Sequence, residues 1–455
     1  MRSIVENLKL NDILFSIVVF ASLIISFVYE FHFFILGITS LSIVLLTLQY
    51  FDFKFEDEVL LGIILFLIFI GPLIKIFPSA PMFRPEQFLV FSIFPLFLIF
   101  RDLNPTSQVR FFLKWFIFFQ LIQTISLFYG YFILDVNIGV KDFIEIFRVF
   151  SYGLTIYVVS TMSFQKASVQ TIIYIILYLF IASSLIGLFQ YYGVLGFDRI
   201  TAPLYFPGRI HDVHDRMMGT FVNPNTYGSF VSIGSIISLG LFLNEERRKI
   251  KFYTLIAFFL LTATLLLTVS RTALVSYLAG LSALILLFGI SKGLKWYKIL
   301  FTLLGISTGL LFIGLLLAGD IWSRLKTILN FMEDLSWQMR LFAWYINLQL
   351  FLESPLIGWG PTFHQFTSTV DSDYILILRR YGIIGFLVYI SFYLLPLYYA
   401  IINLKRKKFS GVLNQIFIAA SIALITGNIA NSLFHEMQFM SFWSVFVGLV
   451  FINNK

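Results

Sequence analysis

Long apolar runs separated by short polar stretches set the pattern of this chain from one end to the other. Runs of helix-spanning length fall near 13–29, 32–50, 59–77, 87–100, 111–134, 146–162, 169–191, 223–243, 253–269, 272–290, 299–318, 374–402, 412–434 and 437–453. About 20 apolar residues in a helix cross about 30 Å of hydrocarbon, so each run reads as a membrane span. The run at 87–100 is short and the first two are tightly joined, so the expectation is 12–14 transmembrane helices. No soluble domain or repeat stands out, and residues 1–455 read as one all-α polytopic transmembrane domain. Two longer polar stretches, 192–222 and 319–373, read as loops on one side of the membrane.

The second loop has helical spacing of its own. Trp322, Leu325, Leu329 and Met332 fall on one face, and after Arg340 so do Leu341, Trp344, Leu348 and Phe351. The pattern predicts a pair of amphipathic helices on the membrane surface with tryptophan at the headgroup level. Pro355, Gly358 and Gly360 then force a turn before Asp371, Asp373 and Tyr374 re-enter the membrane. A loop of this length in a compact protein usually carries function, and this one can close over a site at the bilayer surface.

Composition agrees with the pattern. The chain is 59% hydrophobic and 12% charged, with a mean hydropathy of +0.90, which excludes a soluble domain. Cysteine is absent, which excludes disulfides and thiolate metal sites. The segment MRSIVENLKLND before the first run has no small-residue cleavage site, so the first span is read as retained. Basic loops at Arg247-Arg248-Lys249 with Lys251, at Lys292, Lys295 and Lys298, and at Lys405-Arg406-Lys407-Lys408 share one side. The positive-inside rule makes that side cytoplasmic, puts both termini there, and places 192–222 and 319–373 outside.

The kind of base differs between the two sides. Inside, lysine dominates; outside, the bases are mostly arginine: Arg84, Arg148, Arg199, Arg209, Arg216, Arg271, Arg324, Arg340, Arg379 and Arg380. A planar fork that is always charged suits phosphate and carboxylate, so the set points to an anionic substrate; pairing with outside acids is the plain alternative. Arg271 sits in LLLTVSRTALVSYLAG, where two apolar runs meet without a loop, and charge so near hydrocarbon marks a function or a specific partner. Arg216 precedes Asn223, Pro224 and Asn225, which suit a helix start with asparagine as cap. An outward-facing helix N-terminus there would favour phosphate. His211, Asp212, His214 and Asp215 have the spacing of metal ligands but no distant third ligand, so hydrogen bonding to substrate or a pair with Arg209 or Arg216 is preferred. His364 is a lone loop histidine, and His435-Glu436 is a second external polar spot of no assigned use.

Four segments in order, GTFVNPNTYGSF, TVSRTALVSYLAG, Arg340 with PLIGWG, and DSDYILILRRYGIIGF, resemble the signatures of the O-antigen ligase and O-antigen polymerase family. The resemblance covers roughly residues 205–390. It implies a lipid-dependent glycosyltransferase-like fold in the bacterial cytoplasmic membrane, and transfer of a glycan from an undecaprenyl-diphosphate carrier to a sugar hydroxyl. By position, Arg216, Arg271 and Arg340 match the external arginines associated with the diphosphate and catalysis. Asp371-Ser372-Asp373-Tyr374 stands where ligases show His-Asn-any-Tyr, a departure that favours a polymerase of O-antigen, capsule or exopolysaccharide repeat units. A chain-length regulator and a flippase are the implied protein partners, with membrane lipid around the chain; no nucleic acid, cofactor or metal is expected.

The residues support such chemistry on their own terms. A diphosphate is already a good leaving group, so its departure needs cations more than an acid. The acceptor hydroxyl needs a base, for which Asp371 and Asp373 lie nearest to Arg340, with capping of the next helix as their alternative role. Arg271, Arg340, Asp371 and Asp373 are therefore the candidate catalytic residues. Arg209, His214, Arg216, Asn223, Asn225, His364, Tyr374 and Arg380 are the candidate substrate contacts. A ligase with another acceptor, a lipid-linked oligosaccharide flippase and a secondary transporter are the competing readings. A flippase should carry charge in mid-span and a transporter paired broken segments; neither pattern is found in the sequence.

Overall fold

The computed structural model describes residues 57–75, 82–91, 105–162, 166–205, 214–293, 335–366 and 370–453, apart from 88, 364 and 406–408 and with isolated positions elsewhere. The regular elements among the described residues are helices, apart from one two-residue antiparallel ladder, β1 (Ile74–Lys75) with β2 (Met82–Phe83). Its helices are α1 (Asp57–Ile70), α2 (Ser107–Ile133), α3 (Val140–Thr161), α4 (Lys166–Tyr191) and the short α5 (Phe197–Tyr205). They continue as α6 (Pro224–Asn244), α7 (Arg248–Leu267), α8 (Arg271–Ser291), α9 (Leu335–Glu353), α10 (Asp373–Ile402), α11 (Phe409–Gly427) and α12 (Met437–Asn453). Seven of them, α2, α3, α4, α6, α7, α8 and α10, are long and apolar enough to cross a membrane, and three shorter apolar helices lie within α1, α11 and α12. The protein is an all-α, multi-pass membrane protein. The expected spans at 13–29, 32–50 and 299–318, and most of 87–100, lie outside the described residues.

Helix α6 runs through the middle of the bundle against α4, α7, α8 and α11. Its Gly- and Ser-rich sequence lets neighbours approach closely, which is how helices pack where lipid offers no hydrophobic drive. Ser235 of α6, Thr262 of α7 and Tyr277 of α8 bond one another through their hydroxyls at 2.9–3.1 Å. Around them the abundant aromatics fill space: Phe69, Phe180, Phe230 and Phe442 knit α1, α4, α6 and α12 with ring centroids 4.6–5.6 Å apart.

Helix starts follow local chemistry. Asn223 caps α6 by accepting from the Asn225 amide at 2.8 Å, with Pro224 as the first helical residue, as the sequence predicts. Ser270 caps α8 through the Ala273 amide. Asp142 caps α3 by accepting from the Gly139 amide at 2.8 Å, so that helix begins at Val140 and not near 146. The apolar run alone missed its first turn and a half, because those turns carry Asp142 and Glu145.

The expected span 374–402 is present but broken. Gly382 has φ +62° and ψ −169°, which divides α10 into two halves. The freed backbone groups must find partners inside the protein, since lipid offers none. The strap 354–360 supplies them. The amides of Trp359 and Gly360 donate to the carbonyls of Arg379 and Arg380 at 2.9 and 2.8 Å, and the Ile383 amide donates to Pro355 O at 2.8 Å. Gly358 and Gly382 face each other across this seam so closely that a Cβ on Gly382 would lie 2.2 Å from Leu356 O.

Of the two expected amphipathic helices, the first lies outside the described residues and the second is α9. Of the four positions expected on one face, Trp344 and Phe351 are half-buried and Leu341 and Leu348 are exposed. Leu341 and Leu348 point outward with Met339, Phe342 and Tyr345, while Trp337, Arg340, Trp344 and Asn347 face the bundle. Polar partners on α10 and just before it select that face: Arg340 reaches Asp371 and Asn347 reaches Arg379.

Candidate functional site

The bundle has two chemically different ends. At one, Glu245 and Arg247 lie between α6 and α7, Lys249 and Lys251 stand in the first turn of α7, Lys292 caps the end of α8, and Asn403 follows α10. At the other, helices α3, α6, α8, α10 and α12 all begin. Side chains stitch those five starts together. Arg216 joins Asn225 to the Thr268 carbonyl, Arg340 joins Thr272 to Asp371, and His435 joins the start of α12 to Asp373. The same end gathers positive dipole ends, arginines and carboxylates.

Arg340 and Asp371 form the open part of this assembly. Nε of Arg340 donates to Asp371 Oδ2 at 2.9 Å, and its Nη1 lies 3.5 Å from Thr272 Oγ1. The Asp371 side chain is 43% exposed against 14% for Arg340, so the carboxylate is held on one side and open on the other. Neither carboxylate caps α10: its N-cap is Ser372, with no side-chain bond. Arg271 is the first residue of α8, beside Thr272, and is half-buried.

Beneath that opening lies a buried ionic hub. Glu145 of α3, 2% exposed, pairs with Arg148 on the same helix, with Arg380 of α10 at 3.3 Å and with His435 at 3.2 Å. His435 Nδ1 is 2.9 Å from Asp373 Oδ1, whose Oδ2 accepts the Phe434 amide at 2.7 Å. Nε2 of His435 is within ion-pair distance of Glu145 but off the line of a hydrogen bond. Burial pushes the Glu436 carboxyl up from its ordinary range, and the nearby Arg148 guanidinium pulls it back. Asp373 is fully buried and belongs to this hub, not to the open site beside Asp371.

Arg379 is the other buried base. Its Nη1 donates to Asn347 Oδ1 at 2.8 Å, its Nη2 to Thr362 Oγ1 at 3.4 Å, and its guanidinium lies 5.1 Å from the Phe366 ring centroid. No ion pair involving Arg379 occurs among the described residues. Arg380 stacks likewise on Phe363 at 4.6 Å. The strap is thus held over α10 by both arginines, and Asp142 fixes it further by accepting the Phe363 amide at 2.9 Å.

The remaining sequence candidates divide. Arg216, Asn223 and Asn225 sit together at the start of α6, where Arg216 donates to Thr268 O at 2.9 Å and to Asn225 Oδ1 at 2.6 Å. A cation on carbonyls at the end of α7 is also a helix C-cap, so this arginine has structural work beside any ligand role. His214 bonds Tyr191 O at 3.1 Å and lies 3.4 Å from Asp198, local partners of the 192–222 segment. Tyr374 is half-buried, turns its hydroxyl to Ile425 O at 2.6 Å and packs on Phe386 and Tyr389. Arg209, His364, His211 and Asp212 lie outside the described residues. The sequence reading missed Glu145 and Asp142, though Asp142, Glu145 and Arg148 at three-residue spacing form one charged stripe on an otherwise apolar helix.

Residues 256–390 match the family model described as O-antigen ligase. The match begins within α7, takes in α8, α9 and the strap, and ends just past the break in α10. It covers Arg271, Arg340, Asp371 and both buried arginines, and it supports the resemblance read from the sequence to the O-antigen ligase and polymerase family. Glu145 and His435 lie outside the O-antigen ligase segment, so the hub joins it to the rest of the bundle. A comparison with curated proteins returns no match.

Proposed function

We propose that the chain is a polysaccharide polymerase that joins oligosaccharide repeat units carried on undecaprenyl diphosphate at the outer face of the bacterial cytoplasmic membrane. The observation that carries this reading is the half-open Arg340–Asp371 pair, set at the end of the bundle where Arg271 and five helix starts gather. In the reaction, the acceptor hydroxyl oxygen bonds to the anomeric carbon as the bond from that carbon to the diphosphate oxygen breaks. The electron pair leaves with the diphosphate, where Arg340 and Arg271 hold the growing negative charge. The hydroxyl proton passes to the open oxygen of Asp371. A carboxylate in place of the ligase histidine favours a sugar hydroxyl of a second lipid-linked glycan as acceptor.

Polymerisation of purified lipid-linked repeat units in nanodiscs tests the reading with Asp371→Asn. The amide still accepts the Arg340 bond but cannot take the proton, and no helix cap is lost. A fall of at least ~100-fold in rate at normal protein level is expected, within the usual contribution of a general base. Polymer made at the wild-type rate would remove Asp371 from the chemistry.

A further inference from the structure

We infer that the inner face of α9 is the sugar subsite of this enzyme: Trp337 and Trp344 form an aromatic corner that seats a pyranose ring beside Arg340. The inference rests on the glycosyl-transfer reading above and names what recognises the glycan. Residues 337, 340, 344 and 347 recur at the spacing of one helix face and span about 15 Å along the axis. That face looks into the protein: Arg340 bonds Asp371 and Asn347, fully buried, bonds Arg379. The two indoles stand edge to face with centroids 5.5 Å apart and an interplanar angle of 76°, flanking Arg340 in sequence, and both are half-buried.

Packing alone does not account for this choice of residues. The outer face of α9 carries the residues expected against lipid, among them Met339, Phe342 and Leu352, all exposed. On the inner face the Trp344 Nε1–H is shielded from solvent and has no hydrogen-bond partner among the described residues. Leaving a buried donor without its bond is unfavourable, so an aliphatic side chain would serve a purely structural contact better. A pyranose ring satisfies both features of the corner. Its axial C–H groups give an apolar face that stacks on one indole, and a ring hydroxyl accepts from the Trp344 N–H. With Arg340 between the indoles in sequence, the sugar seated there is the one bonded to the diphosphate.

Full-length protein in nanodiscs separates this from a structural role by binding of two probes. One is the lipid-linked glycan extracted from cells lacking this chain; the other is undecaprenyl diphosphate without sugar. The wild type should bind the glycan probe more tightly than the bare carrier. Trp337→Ala and Trp344→Ala should weaken glycan binding at least tenfold and leave carrier binding within twofold. Trp344→Phe, which keeps a ring and loses the N–H, should lose severalfold for the glycan alone. Equal losses for both probes, or retained glycan preference in all three variants, would overturn the aromatic corner while leaving the enzyme reading intact. A wild type that binds both probes equally would overturn the enzyme reading itself.

Discussion

Arg340 and Tyr374 show how differently two neighbouring candidates are used. Arg340 offers Nε to Asp371 and Nη1 toward Thr272, a two-directional fork that lysine cannot reproduce. Arg340→Lys should therefore cut polymerisation by at least about tenfold with unchanged expression, as expected for lost charge stabilisation at a leaving group; chain-length analysis of the extracted polysaccharide checks it. Tyr374 spends its hydroxyl on the Ile425 carbonyl between α10 and α11. Tyr374→Phe should lower stability by about 1 kcal/mol, the net worth of one hydrogen bond, and leave the rate within about twofold. A thermal-shift measurement beside the polymerisation assay reads both, and a large rate loss at unchanged stability would restore Tyr374 as a substrate contact. Glu145 behaves differently again. Removing its charge strands Arg148 and Arg380 in a buried place, so Glu145→Gln should destabilise the fold by about 3–5 kcal/mol. Such a variant should fail to accumulate at normal level in the membrane.

The element that organises the site is the broken helix α10 with its strap. A straight helix would satisfy its own backbone; this one leaves the carbonyls of Arg379 and Arg380 to the strap, and thereby fixes 354–360 against the bundle. The break also ties the chain directly after α9, and the bond from Arg340 to Asp371 holds the helix itself near the start of α10. Ser126 of α2 adds a third anchor: its hydroxyl lies 2.6 Å from both Ile357 O and Arg380 O, either of which can accept its one proton. Gly382→Ala places a Cβ where φ is positive and Leu356 O already stands, which costs about 1–3 kcal/mol or displaces the strap. Reduced thermal stability together with loss of polymerisation is expected, and faster proteolysis within 354–366 would locate the damage. Normal stability and activity would mean that the seam is not needed.

At the scale of the whole molecule, the two ends of the bundle differ in charge type, lysine-rich at one and arginine with carboxylate at the other, and the proposed function requires the arginine end to face outward. Since the chain has no cysteine, a single introduced one reports its side without background. Gln338→Cys on exposed α9 should react with an impermeant maleimide in intact cells, whereas Lys249→Cys should react only after permeabilisation. The reverse pattern would put the Arg340–Asp371 site on the cytoplasmic side and end the outer-face reading. Helices α6, α7 and α8 meet through the hydroxyls of Ser235, Thr262 and Tyr277, while α3, α10 and α12 meet through the ionic hub.

Membrane crossing, the helix starts at Asn223 and Ser270, and the sorting of arginine from lysine are local or compositional properties, and they are legible in the sequence because hydrophobic length and capping chemistry act within a few residues. Arg340 and Asp371 could be named as candidates for the same reason, each standing in a recognisable segment. Their bond could not, because 31 positions separate them and only the fold of α9 back onto α10 brings them together. Periodicity gave α9 an amphipathic helix but assigned its tryptophans to the membrane; partners on another element, Asp371 and Arg379, decided which face turns inward. The same holds for Asp373. It stands two residues from Asp371 in a stretch that reads as one candidate pair, yet His435 and the Phe434 amide, more than 60 positions away, bury it in the hub. Which carboxylate is open and which is buried is a property of long-range packing, where the nearest charges come from helices far apart in the chain.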